Sequence, residues 1–225
     1  DWENCLGAVI TYPHKLHHRD QLTEMLWPEL DPEGAQRDFK IAYSALLSVL
    51  EPGRKRNAPS AFIAREGALY GLRPEADVWL DTAEFTQHLA AGDAHWEADA
   101  HDAALAVYRQ ALALYQGEYL QEYPYEEWSS ETRERLLTSY LRTAERVAHL
   151  LAEQEAWDAV LDVCHAILSR DDCWEEAYRL MMLAYDRQGN RTQALRTYQR
   201  CVERLTSELG VEPAATTFEL YQSIL

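Results

Sequence analysis

Apolar residues at helical spacing, cut by prolines and glycines, predict three helices at the start of the chain. Residues 3–11 suit a short helix closed at Tyr12-Pro13, because proline disfavours helical backbone in the residue before it. A second helix is predicted from Arg19 to Leu26, where Trp27-Pro28 stops it. Asp31-Pro32-Glu33 opens a third: Asp31 caps, Pro32 fits the first turn and Glu33 complements the helix dipole. It runs to Leu50 and closes at Glu51-Pro52-Gly53. The period then becomes that of strands, with Ser60–Arg65 and Ala68–Leu72 flanking Glu66-Gly67. Three helices followed by a hairpin is the order of a winged helix-turn-helix.

From Asp81, expected to cap a helix through Leu89, the pattern is helical, with breaks at Gly92, Gly117, Pro124, Gly189 and Gly210–Pro213. One motif recurs. Ala104-x3-Tyr108-x2-Ala111 matches Ala194-x3-Tyr198-x2-Cys201, and Ala159-x3-Val163-x2-Ala166 keeps the small-large-small order. The last two copies are 35 residues apart, close to the tetratricopeptide period. Tyr185 and Gly189 stand at that repeat's Tyr and Gly positions. The first two copies are 55 apart, so about twenty inserted residues, containing Tyr119 to Ser130, separate them. Small residues recur because one helix must approach its hairpin partner closely. An irregular helical bundle is the alternative, and three aligned copies favour the repeat. The expected fold is mostly α: a winged helix-turn-helix over 1–76, then an all-α tetratricopeptide-like repeat domain over 77–225.

Charge separates the same two parts. The 225 residues carry a net charge of −17. Residues 1–76 hold nine basic and eleven acidic side chains, and 77–225 hold twelve and twenty-seven. An acidic body repels phosphate, so the second part is expected to bind protein. In the first part Arg54, Lys55, Arg56, Arg65 and Arg73 stand almost alone against Glu66. On the third helix, Phe39, Tyr43, Leu46 and Leu50 form the core stripe, with Ala42 and Val49 beside it. The opposite face carries Arg37, Ile41, Ser44 and Ser48, with Lys40 adjacent. A recognition helix keeps one face in the core and lays the other in the major groove. The candidate DNA-binding residues are therefore Arg37, Lys40, Ile41, Ser44 and Ser48, with Arg54, Lys55, Arg56 and Arg65 on phosphates.

Three stretches also carry a resemblance: His18-Arg-Asp-Gln-Leu-x3-Leu-Trp-Pro28, Asp31-Pro-Glu-x-Ala35 and Arg37-Asp-Phe-Lys-Ile-Ala42. They resemble the winged helix of the Streptomyces antibiotic regulatory protein family. Gly117-Glu-Tyr-Leu120, Glu127-Trp128, Arg133 and Glu208-Leu-Gly-x-Glu-Pro213 are similar to its bacterial transcriptional activator domain, and Asp77-Val-Trp-Leu-Asp81 with Phe85 to the junction. Arg-Asp-Phe-Lys also resembles the end of large ATP-dependent, maltose-regulator-like activators. The resemblance implies a transcriptional activator bound to promoter DNA. Its protein partners would be RNA polymerase, a second regulator copy, or an upstream sensor or ATPase region outside this chain. Two departures stand out. The family's helix has arginines where this chain has Ala45, Leu47 and Ser48, and the family's N-terminal sheet is lacking here, as expected of a C-terminal piece of a longer regulator.

Other chemistry finds little footing. His14, His17 and His18 fall in the expected turn between the first two helices, without cysteine or carboxylate at metal-ligand spacing. Cys164 and His165 are adjacent, which on a helix points them about 100° apart. Glu126-Glu127 and Glu175-Glu176 suit helix starts. With no phosphate-binding loop, neither a cofactor nor enzymatic activity is expected. Scattered cysteines and the lack of a leader or membrane span suggest the cytoplasm. The rival reading is a protein-interaction scaffold whose degenerate winged helix never touches DNA.

Overall fold

In the computed structural model, residues 2–55 and 58–225 are described. By contact the chain divides into two units, 1–80 with 117–136, and 81–116 with 137–225. This differs from a single cut after residue 76, because the segment 117–136 folds with the first unit.

The first unit holds α1 (Trp2–Thr11), β1 (His17–His18), α2 (Arg19–Leu26), α3 (Pro32–Leu50), β2 (Ile63–Glu66) and β3 (Leu69–Leu72). The strands form an antiparallel sheet in the order β1-β3-β2, with Arg65 opposite Tyr70 and His17 opposite Tyr70 on the other side. His14 lies in the expected turn, whereas His17 and His18 form a strand. Two residues carry no periodicity, so nothing in the local pattern announced it. His17 is buried in that strand, while His18 caps α2, its Nδ1 accepting from the Asp20 N–H at 3.2 Å. Gly71 permits the approach of the residues leading into β1: a Cβ there would lie 2.6 Å from the Lys15 carbonyl oxygen. Asp31 caps α3, accepting from the Gly34 N–H at 2.7 Å. Val9, Leu22, Phe39, Leu46, Ile63 and Tyr70 meet in one core.

Segment 117–136 closes this core on the α1 side. Trp128 packs against it, and its ring fills the space beside Gly7, where a Cβ would lie 2.6 Å from Cη2. The Thr11 and Tyr119 hydroxyls are 2.8 Å apart. Arg133, at the start of α6 (Glu127–Glu153), donates to the carbonyls of Tyr119, Tyr123 and Pro124 and so fixes the loop.

The second unit contains α4 (Asp81–Glu97), α5 (His101–Leu114), the rest of α6, α7 (Trp157–Leu168), α8 (Glu175–Arg187), α9 (Arg191–Arg204), a π-helical turn (Leu205–Leu209) and α10 (Ala215–Ile224). Gly92, expected to break a helix, lies inside α4. Its bare Cα admits the ring of Tyr108, whose Cδ1 would be 2.5 Å from a Cβ at Gly92. The glycine serves close packing of α4 on α5, which outweighs its low helix propensity.

Three turns repeat in phase. Asp99, Glu155 and Gly189 are left-handed, at φ 57°, 56° and 73°. The N–H of the following residue closes the preceding helix in each case: Ala100 donates to His95, Ala156 to Leu151 and Asn190 to Tyr185, at 2.9, 2.9 and 2.7 Å. Five residues beyond each left-handed residue stands a fully buried one, Ala104, Val160 and Ala194. The middle copy is therefore shifted by one from the sequence reading. Val160, Cys164 and Ile167 are its buried set, whereas Ala159 and Ala166 are half-buried. Val160 and Ala194 are 34 residues apart, the tetratricopeptide period. Tyr108 and Ala111 are buried with Ala104 in the first copy. In the third, Thr197 is buried and Tyr198 is half-buried, stacked on Tyr221 at 4.1 Å, while Tyr185 packs beside Met182 and Ala194.

Candidate nucleic-acid interface

The first unit holds α3 by one face only. Ala35, Phe39, Ala42, Leu46 and Leu47 are buried. Phe39, Tyr43 and Tyr70 lock the helix to β3: Phe39 and Tyr43 stack at 6.0 Å, and each meets the Tyr70 ring edge-on, at 5.0 and 5.1 Å. Burial, then the neighbouring Tyr70, pushes the Tyr43 hydroxyl above the ordinary tyrosine range, so it stays protonated. These contacts fix which face of α3 looks outward.

That outward face is the one the sequence singles out. Arg37, Lys40, Ile41, Ser44 and Ser48 are all exposed. Arg37 lies alongside Asp38, with Nε 3.1 Å from Oδ1. The Ser48 hydroxyl donates to the Ser44 carbonyl at 2.9 Å. The flanks differ from expectation. Val49, placed beside the core stripe, is 50% exposed, and Leu47 is buried instead. The neighbouring elements cover the Leu47 flank of α3, a choice that periodicity cannot make. Of the three positions where the resembled family has arginine, only Ser48 is on the exposed face; Leu47 is core and Ala45 is half-buried.

The basic residues beyond α3 divide. Lys55 and Arg65 are exposed, and Arg65 leans over the Tyr70 ring, 5.6 Å from its centroid. Arg54 is half-buried and donates through Nη1 to the Ala58 carbonyl, holding its own loop. Arg56 lies outside the described residues. Arg73 likewise serves the loop, donating from Nε to the Ser60 carbonyl at 2.6 Å and pairing with Glu75. Glu51, at the end of α3, accepts from the Ala61 N–H at 2.9 Å. The cationic groups of this unit left facing solvent are thus fewer than their number in the sequence, and Arg37 and Lys40 sit on the first half of α3.

Metal-ligating atoms come together at one place among the described residues. Asp171, Asp172 and Cys173 bring theirs within 4.8 Å of one another. Burial and the Asp172 carboxylate raise the Cys173 thiol above its ordinary range. Cys164 is buried and pushed up to about 12, chiefly by that burial. No described helix is long and apolar enough to cross a membrane.

Residues 80–225 match the family described as the bacterial transcriptional activator domain. The chain is 28% identical over 220 residues to the regulatory protein AfsR of Streptomyces coelicolor, an alignment covering 98% of this chain and 21% of that protein. Its fold is similar to that of Mycobacterium tuberculosis EmbR, whose structure was solved in complex with a low-affinity phosphopeptide. That likeness has a TM-score of 0.80 at 20% identity, over 99% of this chain and 58% of the EmbR chain. The chain thus spans about a fifth of the length of the first relative and rather more than half of the second.

Proposed function

Because the chain belongs to the bacterial transcriptional activator domain family, a family of transcriptional regulators, we propose that it is a promoter-binding activator working through two surfaces. The first unit, centred on residues 1–76, docks α3 in the major groove. The acidic repeat part, 77–225, binds protein: RNA polymerase, a second regulator copy, or a sensor or ATPase region elsewhere in the same regulator. Its place of work is the cytoplasm, and it carries no catalytic activity of its own.

The observation that supports this reading best is the sidedness of α3. The aromatic lock on one face leaves Arg37, Lys40, Ile41, Ser44 and Ser48 outward together. Arg65 and Lys55 are exposed and can meet phosphates beside the groove, whereas Arg54 is engaged with its own loop. Each phosphate neutralised by a cation contributes about −0.9 to the log–log slope of affinity against salt. Fluorescence anisotropy on a labelled promoter duplex tests it. Lys55→Gln and Arg65→Gln each flatten the slope by about 0.9 and weaken all sequences alike. Arg54→Gln leaves the slope unchanged. A protein scaffold remains the second reading, supported by the Arg37–Asp38 pair and the missing arginines at Ala45, Leu47 and Ser48. Absence of DNA binding at low salt selects it.

A further inference from the structure

We infer that Ile41 is a base-reading contact that recognises the C5-methyl group of a thymine; the inference rests on the docking of α3 proposed above. Ile41 is 62% exposed, in the middle of the outward face of α3. At 3.6 residues per turn it lies on one line with Arg37 before it and Ser44 and Ser48 after it. Its β-branched side chain is nearly fixed in χ1 on a helix, so it presents a rigid apolar surface at little entropic cost. The packing of the unit does not use this side chain, since the core cluster that includes Phe39, Ala42 and Leu46 lies on the opposite face.

The surroundings decide what that surface meets. Arg37, which also pairs with Asp38, and Lys40 flank Ile41 within one turn, and both are exposed to meet a polyanion. The Ser48 hydroxyl turns back to the Ser44 carbonyl, so Ile41 is the large apolar side chain of the exposed face, with the Ser44 hydroxyl beside it. In the major groove of duplex DNA the thymine methyl is the apolar group on the base edges, and the minor groove offers none. Double-stranded RNA has a major groove too narrow for a helix. The occupant that matches cations around an apolar centre is therefore a DNA major groove with a thymine at its reading position.

The test uses the full chain and a duplex that it selects from a random library. Each thymine in turn is replaced by deoxyuridine, which removes the methyl and keeps the hydrogen-bonding groups. At one position the wild-type chain is expected to lose about fourfold in affinity, the value of one buried methyl. Ile41→Val retains that discrimination. Ile41→Ala binds the thymine and uracil duplexes equally, with an unchanged salt slope, since no phosphate contact is altered. Indifference of the wild-type chain to the exchange at every position overturns the inference while leaving DNA docking intact, as does discrimination that survives Ile41→Ala. Failure to select any duplex overturns both.

Discussion

Both units seat an aromatic ring on a glycine, and they do so over very different stretches of chain. In the second unit Gly92 of α4 receives Tyr108 from the next helix. In the first, Gly7 of α1 receives Trp128 from a segment that follows two intervening helices of the other unit. The Tyr108 contact is tied further: its hydroxyl donates to Asp93 at 2.6 Å, and Arg146 donates to both. In the repeat unit the ring and its glycine belong to successive helices, α4 and α5. The first unit depends on residues 117–136, which arrive late in the chain, to complete the α1 side of its core.

The largest expected effect distinguishes the two rings. Tyr108 is fully buried, so Tyr108→Ala costs about 3–5 kcal/mol in urea unfolding, from lost burial plus a cavity. Trp128 is partly buried, and Trp128→Ala costs less. An equal or larger loss at Trp128 would reverse the comparison. Next come the glycines themselves. Gly92→Ala and Gly7→Ala each place a methyl against a ring held by other contacts, an overpacking penalty of about 1–3 kcal/mol that opposes the gain in helix propensity. A net stabilisation at Gly92 would show that Tyr108 can shift.

The repeated turns predict a smaller effect of opposite sign. Asp99 and Glu155 occupy the left-handed conformation that Gly189 takes without strain. Asp99→Gly and Glu155→Gly are expected to raise stability by roughly 1 kcal/mol each, and Gly189→Ala to lower it by about as much. If all three substitutions moved the unfolding midpoint in one direction, the three turns would not be equivalent.

The smallest effect belongs to the first unit. Burial, assisted by Lys15, lowers the His17 pKa below its ordinary 6.5. The unfolded chain therefore takes up this proton before the folded one does. Stability is full above pH 6.5 and declines as the pH falls from there toward the depressed folded value. His17→Phe removes this contribution, so its stability curve below that pH is flatter than that of the wild type. Parallel curves would sink the assignment.

Legibility in the sequence followed the same division of near and far. Prolines and an aspartate cap marked α1, α2 and α3 to within a residue, because Pro13, Pro28, Pro32 and Pro52 act on their own neighbours. The repeats were visible for the same reason. Their middle register was not: Ala159 and Val160 are both small enough to pass, and only the left-handed turn at Glu155 fixes which is buried. Gly92 read as a breaker because its partner ring lies on another helix. At the candidate interface, the outward residues of α3 followed from periodicity, while the exchange of Val49 for Leu47 depends on which neighbours cover each flank. The hold of Arg54 on the Ala58 carbonyl carries no signature in the sequence, where Arg54 stands simply among the candidate phosphate contacts.

Photocrosslinking from a single attached group asks whether the outward face of α3 meets DNA. With the group carried at Ser44→Cys, at the centre of that face, crosslinking to a selected duplex is expected to be efficient. The same group at Arg109→Cys, exposed on α5 of the acidic unit, is predicted to give background only. Equal yields from the two positions, or none from position 44 while the chain still binds the duplex, would contradict that contact.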